Sequence, residues 1–472
     1  MFGLVGNRAA TDQQLEVGAL ADGALTGMRH DVISPTSTFE DFNETSAVVT
    51  RMSYDVPNQS TSHKLVKLNV GTPTFMRAPG ETTGSFALES AMDEMAFALK
   101  MDPVALRLKN YAEMEPQEHK PWSSKFLRDC YRLGAEKFGW SQRRPEPRAM
   151  REGNILIGYG MATATYPANR SGASAVARIF PDGTAMAGSG TQDLGTGTFT
   201  VMAQVAADAM GFPMGKMRFM LGDSSLPHAP GSGGSQSVAS VSPAVREAAS
   251  QARSKLIAMA VADNDSPVSG LAVEQVTVEN GWVVSMLDAS KRDPAAAILA
   301  RRGGGMPIEA FATVQPGAEK KAYAFHSFGA VFAEVHVDAD LGIIRVARVV
   351  GVYDVGNLLN DKTAHSQFMG GIVWGIGSAL TEASELDVRY GRYTNANLAE
   401  YHVPVNADIQ AIDITVLGKG DPHINSLGAR GIGEIGITGV AAAIANAVFN
   451  ASGVRVRDLP VTLDKVLMGV QV

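Results

Sequence analysis

The chain has 472 residues, 45% hydrophobic and 19% charged, with a formal net charge of −7. That length carries two or three domains around a large core, and the acidic balance argues against nucleic acid or an anionic membrane surface as the main partner. Its one cysteine, Cys130, excludes an internal disulfide, a thiolate-ligated metal site and an iron–sulfur cluster held by this chain alone.

The first residues, MFGLVGNRAATDQQ, lack the basic and then apolar pattern of a secretory signal, and no run of 18 apolar residues predicts a membrane span. Residues 1–72 alternate as strands do, most clearly in Lys64-Leu-Val-Lys-Leu-Asn-Val70. Thr72-Pro-Thr-Phe-Met-Arg-Ala-Pro-Gly-Glu81 then reads as a rigid loop carrying Arg77. A helix is predicted over Phe86–Leu99, and Asp102-Pro103 forms an N-cap and first-turn pair opening a second helix to about Tyr111. Residues 114–152, rich in Pro, Arg and Glu, read as a connection with one helix near 125–138.

From residue 155 onward a unit of hairpin, loop and helix occurs twice. In the first, Ala173–Ile179, the turn Pro181-Asp-Gly183 and Thr184–Gly188 lead through Gly190-Thr-Gln-Asp-Leu-Gly-Thr-Gly197 to a helix over Phe199–Met210, ended by Gly211. In the second, Ala330–Val337, the turn Asp338-Ala-Asp-Leu-Gly342 and Ile343–Val352 lead through Tyr353-Asp-Val-Gly-Asn357 to a helix around Gln367–Glu382. Between them lie the loop Pro230-Gly-Ser-Gly-Gly-Ser-Gln236 and a helix from about Pro243 to Ala262. Hairpins mixed with helices predict α+β layering and not a doubly wound parallel sheet.

The 49 glycines gather at 188–197, 231–234, 302–305, 370–377 and 428–439, which marks places where backbone comes close to something. Gly428-Ala-Arg-Gly-Ile-Gly-Glu-Ile-Gly-Ile-Thr-Gly439 encloses one carboxylate, Glu434, and feeds an apolar helix from Val440 that is punctuated by Gly453. Glu434 reads either as a general base among apolar neighbours or as a helix-terminus carboxylate complementing the macrodipole. Gly195-Thr-Gly197 is an anion cradle or a plain left-handed turn; it is neither G-x-G-x-x-G, since position 200 is Thr, nor a P-loop. Ser232, Ser235, Ser237 and Ser240 offer hydroxyl donors at a loop-to-helix junction or cap it. Gly370, Gly371, Gly375 and Gly377 in one helix require close packing to offset roughly 1 kcal/mol each. His365, just before that helix, reads as a ligand or a capping histidine, and the nine histidines show no metal-ligand spacing. No G-x-S-x-G site supports serine hydrolase chemistry. A large anionic ligand gripped by backbone accounts for the glycine loops and the carboxylate together.

In order and spacing these stretches resemble the large molybdenum-cofactor subunit of the xanthine dehydrogenase and aldehyde oxidoreductase family. The resemblance is carried by Phe75-Met-Arg-Ala-Pro-Gly-Glu81, the 190–197 loop, Asp354-Val-Gly-Asn-Leu-Leu-Asn360 leading to Gln367-Phe-Met-Gly-Gly371, and Gly431-Ile-Gly-Glu-Ile-Gly436. The Arg77 motif and Asn397-Leu-Ala-Glu-Tyr401 are spelled most like the bacterial periplasmic-type aldehyde dehydrogenase subunits. The resemblance implies an α+β fold of two tandem molybdopterin-binding-type domains built from β-hairpins and helices, the first truncated. Residues 1–113 would be the C-terminal part of the first domain, 114–152 a connection and 153–472 the second domain.

The activity so implied is oxidation of aldehydes to carboxylic acids with water as oxygen source. The alternatives are hydroxylation of N-heterocycles such as xanthine, or a non-catalytic assembly remnant that binds partner subunits. Glu434 would assist attack of a molybdenum-bound hydroxyl on the substrate carbon, with hydride passing to a sulfido ligand. Arg77 would orient the substrate and stabilise developing oxygen charge. Gln192, Asp193, Leu194, Gly195, Thr196, Gly197, Ser237, Ser240, Gln367, Arg430, Gly431, Ile432 and Gly433 would hold a molybdenum-pyranopterin in its cytosine dinucleotide form, with no side chain ligating the metal. Electrons would leave through [2Fe–2S] clusters and FAD on an iron–sulfur subunit and an FAD subunit, and an insertion chaperone would load the cofactor. The location implied is cytoplasmic, or periplasmic when a partner carries the export signal. The family's hammerhead-like domain, its Gly-Gly-Gly-Phe-Gly-Gly loop and a glutamine near the apical oxo group precede the Arg loop and are not in this sequence. The expectation is therefore a C-terminal fragment or half of a split subunit, with one pocket wall missing and weak or no activity alone.

Overall fold

The computed structural model describes residues 6–469, so the part of the strand expectation that falls on residues 1–5 lies outside the described residues. The first elements are β1 (Asp12–Ala19), β2 (Leu25–Ser37), α1 (Val48–Ser53), β3 (Gln59–Leu68), α2 (Glu81–Ala98), α3 (Pro103–Lys109) and α4 (Leu127–Phe138). There follow β4 (Arg151–Glu152), β5 (Ile155–Pro167), β6 (Ala173–Ile179), β7 (Ala185–Gly188), α5 (Thr198–Met210), β8 (Met217–Met220) and α6 (Ser237–Ala262). Then come β9 (Val276–Glu279), β10 (Trp282–Ser285), β11 (Arg292–Pro294), α7 (Ala295–Arg302), β12 (Ile308–Val314), α8 (Glu319–Ala322), β13 (His326–Asp338) and β14 (Ile344–Asp354). The last are α9 (Asp361–Leu380), β15 (Leu386–Asp387), β16 (Arg392–Tyr393), β17 (Ile412–Val416), α10 (Val440–Ser452) and α11 (Leu463–Gly469).

Helices and mainly antiparallel strands form layers, as the hairpin order predicts. β1 and β2 pair antiparallel and β3 joins β2 in parallel, with β3 alternating between half-buried and exposed side chains. Leu88, Met92 and Ala96 of α2 close the core beneath this sheet. The short helix α1 departs from the all-strand expectation for this region. Its β-branched Val48-Val-Thr50 favours a strand locally, but Val49 and Thr50 are buried and the helix packs on α2, so tertiary contact overrides propensity.

The main sheet runs β17-β14-β13-β5-β4, and a second runs β12-β6-β7-β8 under α5 and α6. The two hairpins of the repeated unit therefore sit in different sheets. α10 lies across β5 and β13 on one face, while α4 covers β13 and β14 on the other. Covered on both faces, β5 has no alternation and reads Ile-Leu-Ile-Gly-Tyr-Gly-Met-Ala-Thr-Ala-Thr-Tyr-Pro. The segment Ile435–Ser452 is long and apolar enough to cross a membrane, yet 94% of it is buried inside the fold, so it serves as the core helix.

Three helix starts differ from the sequence expectation. α2 begins at Glu81, five residues before Phe86, so the Pro-Gly of the Arg77 loop leads straight into its first turn. α6 begins at Ser237, with Pro243 inside it. α9 begins at Asp361, capped by Asn360, whose side chain accepts the Thr363 N–H at 2.8 Å. Gln367 thus lies inside α9, and His365 is an exposed residue of its second turn and not a cap. The helix glycines do pack closely: a Cβ on Gly371 would stand 2.5 Å from the Gly436 carbonyl carbon, and one on Gly375 would stand 2.5 Å from Val440 Cβ.

α10 approaches β5 so closely that a Cβ on Gly160 would lie 2.2 Å from both the Ala443 oxygen and the Ala447 nitrogen. Backbone cannot give way as a side-chain tip can. Gly160→Ala should lower the stability of the protein by about 2–3 kcal/mol in chemical denaturation, and an unchanged midpoint would contradict this packing.

Candidate active site

The glycine segment before α10 is stitched to the end of β14: Asn357 N–H donates to Gly428 O at 2.9 Å and Arg430 N–H to Val355 O at 3.1 Å. A Cβ on Gly431 would stand 1.5 Å from Ser235 O, so two glycine loops cross here backbone against backbone. The crossing leaves a cleft of about 250 Å³ lined by Leu194, Thr196, Thr198, Ser232–Val238, Asn357–Asn360, Thr363, Gln367 and Arg430–Glu434.

Glu434 is part of that lining. Its Oε2 accepts from the Ser235 hydroxyl at 3.0 Å and its Oε1 from the Ala78 N–H at 3.4 Å. It precedes the short turn Ile435–Ile437 but caps nothing with its side chain, so the helix-terminus reading does not describe what the carboxylate does. Burial first, and then Glu434, push the phenol of Tyr166, at the end of β5, upward. Arg77 arrives from the loop before α2 and donates to the Gln367 carbonyl at 2.7 Å. Its Nε is buried without a partner among the described residues, and burial draws the guanidinium below its ordinary value, with Glu434 acting in the opposite sense.

The other predicted residues divide. Leu194, Thr196, Ser237, Gln367, Arg430, Gly431, Ile432 and Gly433 line the cleft. Arg430 does so with backbone alone. Its guanidinium turns inward to Asp421 at 2.9 Å, the Ser124 carbonyl at 2.8 Å and Asp354 at 3.6 Å, all three side-chain groups of the ion cluster being fully buried. Gln192 ties two loops together, accepting from Ser232 N–H at 2.8 Å and taking the Ser232 hydroxyl on its carbonyl at 2.9 Å.

The anion cradle at Gly195–Gly197 is filled by the chain itself. Asp193 accepts N–H groups from Gly195, Thr196 and Phe199 at 2.9, 2.9 and 3.1 Å and from Gly197 at 3.3 Å. Burial would raise this carboxyl, but those backbone donors outweigh it and hold it below its usual range. Gly195 and Gly197 sit at φ +85° and +80°, the left-handed turn. Ser240 is buried away from the cleft and accepts the Ser171 N–H at 3.0 Å, so its predicted contact is not supported.

Three helices present N-termini around the cleft. Asp193 occupies that of α5 and Asn360 that of α9, whereas α6 has no side-chain cap and opens beside Ser232 and Ser237. A helix start with free N–H groups and hydroxyls suits a phosphate. Sequence reasoning passed over Tyr166, the Ala78 N–H and Glu81, whose roles come from distant packing. The 357–360 stretch was recognisable only through its motif.

A family model described as "Molybdopterin cofactor-binding domain" matches residues 133–410, and a second of the same description matches residues 1–111. The chain belongs to the molybdopterin cofactor-binding family. It is 36% identical over 465 residues to the aldehyde oxidoreductase molybdenum-binding subunit PaoC of Escherichia coli O157:H7, covering 98% of this chain and 61% of that protein. It is 31% identical over 468 residues to the putative xanthine dehydrogenase molybdenum-binding subunit XdhA of Escherichia coli (strain K12), covering 95% of this chain and 60% of that one. The chain spans about three fifths of the length of those relatives. The quinoline 2-oxidoreductase of Pseudomonas putida 86 shares the fold at TM-score 0.83 and 23% identity, covering 98% of this chain and 62% of that chain. The aldehyde oxidoreductase of Desulfovibrio gigas does so at 0.80 and 24%, covering 99% and 50%.

Glu81, 5% exposed beside this site, is pushed up to about 8 by burial, with Glu434 and Glu44 adding to the rise. An unfolded glutamate ionises near 4.5, so between 4.5 and about 8 the folded chain holds one more proton than the unfolded chain. Stability should therefore fall as pH rises through that window, and Glu81→Gln should flatten the slope in denaturation measured at several pH values. Equal slopes in both proteins would count against a protonated Glu81.

Proposed function

We propose that this chain is the cofactor-binding and catalytic part of a molybdenum hydroxylase that oxidises aldehydes to carboxylic acids, with water as the oxygen source. One observation carries the reading: Glu434 lines a glycine-walled cleft, and the loop carrying Arg77, 357 positions away in the sequence (434 − 77), reaches it through the Ala78 N–H. The residues present fit a pyranopterin with a phosphate tail, because the start of α6, without a side-chain cap among the described residues, opens on that cleft. When bound, the molybdenum-pyranopterin would supply the oxygen-transfer and two-electron chemistry.

The start of α6 with Ser232 and Ser237, the 431–433 backbone and Gln367 would hold the group, expected in its cytosine dinucleotide form. Glu434 would take a proton during attack on the substrate carbon, its carboxylate steadied by Ser235 and the Ala78 N–H. Arg77 would orient the aldehyde oxygen and stabilise charge developing on it. The relatives are named as molybdenum-binding subunits, which supports partner chains. We assign [2Fe–2S] clusters and FAD to those partners, and loading to an insertion chaperone. Hydroxylation of N-heterocycles is the second reading, favoured by the 31% identity to a xanthine dehydrogenase subunit.

In the assembled complex, Glu434→Gln should lower kcat by about 10²- to 10⁴-fold with molybdenum and pterin content unchanged. Turnover with metal content measured on the same preparation checks this, and turnover close to that of the unaltered enzyme would overturn the assignment.

A further inference from the structure

Ala78 and Gly80 both adopt left-handed backbone, at φ +51° and +85°. Glycine takes that conformation freely, but alanine does not, so the turn needs external restraint. The restraint comes from two charged residues outside the cleft. Arg8 Nη2 donates to the Arg77 carbonyl at 2.6 Å, and its Nη1 lies 3.3 Å from Glu44 Oε1. The same Glu44 oxygen accepts the Gly80 N–H at 2.9 Å and the Thr83 hydroxyl at 3.3 Å. Glu44 is fully buried. A Cβ on Gly80 would stand 2.6 Å from Thr45 Oγ1 and 2.9 Å from Thr45 O, so the segment carrying Glu44 also walls the turn.

The restrained turn has two outputs. It aims the Ala78 N–H at Glu434 Oε1, 3.4 Å away, and it carries the Arg77 guanidinium to the Gln367 carbonyl at 2.7 Å. A buried carboxylate is costly to desolvate unless its partners repay it, and every partner of Glu44 named above belongs to this turn, to the helix start behind it or to the Arg8 that holds it. We infer that Glu44 and Arg8 are positioning residues that hold the Arg77–Gly80 turn in the geometry aiming Arg77 and the Ala78 amide at Glu434. The inference rests on the reading of Glu434 and Arg77 as the working pair.

The test combines amide hydrogen exchange over residues 76–86 with steady-state kinetics, both on the assembled complex. Arg8→Gln and Glu44→Ala should speed exchange of that segment by about tenfold or more while other segments keep their protection. kcat should fall about tenfold with KM within about twofold, because a displaced positioning loop costs turnover more than binding. Glu44→Gln keeps an acceptor for the Gly80 N–H and should recover part of both losses. Unchanged exchange in Arg8→Gln, or faster exchange with full kcat, overturns the inference. If Glu44→Ala fails to accumulate, Arg8→Gln and Glu44→Gln decide alone. Loss of turnover in Glu434→Gln with full turnover in Arg8→Gln overturns this inference only, whereas full turnover in Glu434→Gln overturns the function beneath it.

Discussion

The placement of Glu434 depends on a steric constraint. The turn that follows it is wedged between α9 and β5: a Cβ on Gly371 would stand 2.5 Å from the Gly436 carbonyl carbon, and one on Gly439 would stand 2.7 Å from Thr163 O. Glycine in a helix interior costs about 1 kcal/mol against alanine, and α9 carries Gly370, Gly371, Gly375 and Gly377. Those residues face Arg77, Gly436, Val440 and Glu382 respectively. One helix therefore sets the positions of both charged groups, presenting the Gln367 carbonyl to Arg77 and a flat glycine face to the turn of Glu434. Side-chain hydrogen bonds finish a geometry that close backbone packing has already imposed.

Electrostatics around the cleft follow from what the helix ends and ion pairs have already satisfied. Asp193 closes α5 and Asn360 closes α9, while Asn360 also donates to Gln204 at 2.8 Å and ties the start of α9 to the middle of α5. Arg430, the one cation of the 428–439 segment, is locked into an interior cluster with Asp421 and Asp354. That cluster anchors the cleft wall to the segment before α4 through the Ser124 carbonyl and the Phe126 N–H. Attraction for an anion is thus left to the start of α6 and to oriented backbone, whose fixed dipoles need no reorganisation on binding.

Much of the fold was legible because its signals are local. Pro181-Asp-Gly183 marks a hairpin turn, Asp102 caps α3 by accepting from Val104 and Ala105, and a small-apolar run from Val440, interrupted only by Asn446 as far as Phe449, points to a buried helix. The start of α6 was hidden because Pro243 offers a ready first-turn proline, whereas Ser237 is one serine among several. The start of α9 was hidden because Asn360 follows a glycine- and asparagine-rich loop that reads as continuous turn. Within the site, Arg77 and Glu434 stand out as charges inside apolar and glycine-rich motifs. Side-chain direction is another matter: Arg430 and Ser240 carry plausible ligand chemistry, and only packing shows one aimed inward at Asp421 and the other accepting from Ser171.

The way Glu434 and Arg77 are kept apart matters as much as their meeting. Among the described residues the two make no direct ion pair. Arg77 instead gives one N–H to the Gln367 carbonyl, and Glu434 takes its hydrogen bonds from a hydroxyl and a backbone amide. A bidentate pair between them would satisfy both groups in the resting site, and a substrate would then have to break it before either could act. Neutral donors hold the carboxylate in place while leaving its capacity to accept a proton, and a neutral acceptor holds the guanidinium while leaving its remaining N–H groups for an incoming oxygen. In the proposed roles, this geometry would keep an acid–base group and an oxygen-charge stabiliser close without letting them neutralise each other, which is the arrangement a site needs when charge develops only as the reaction proceeds.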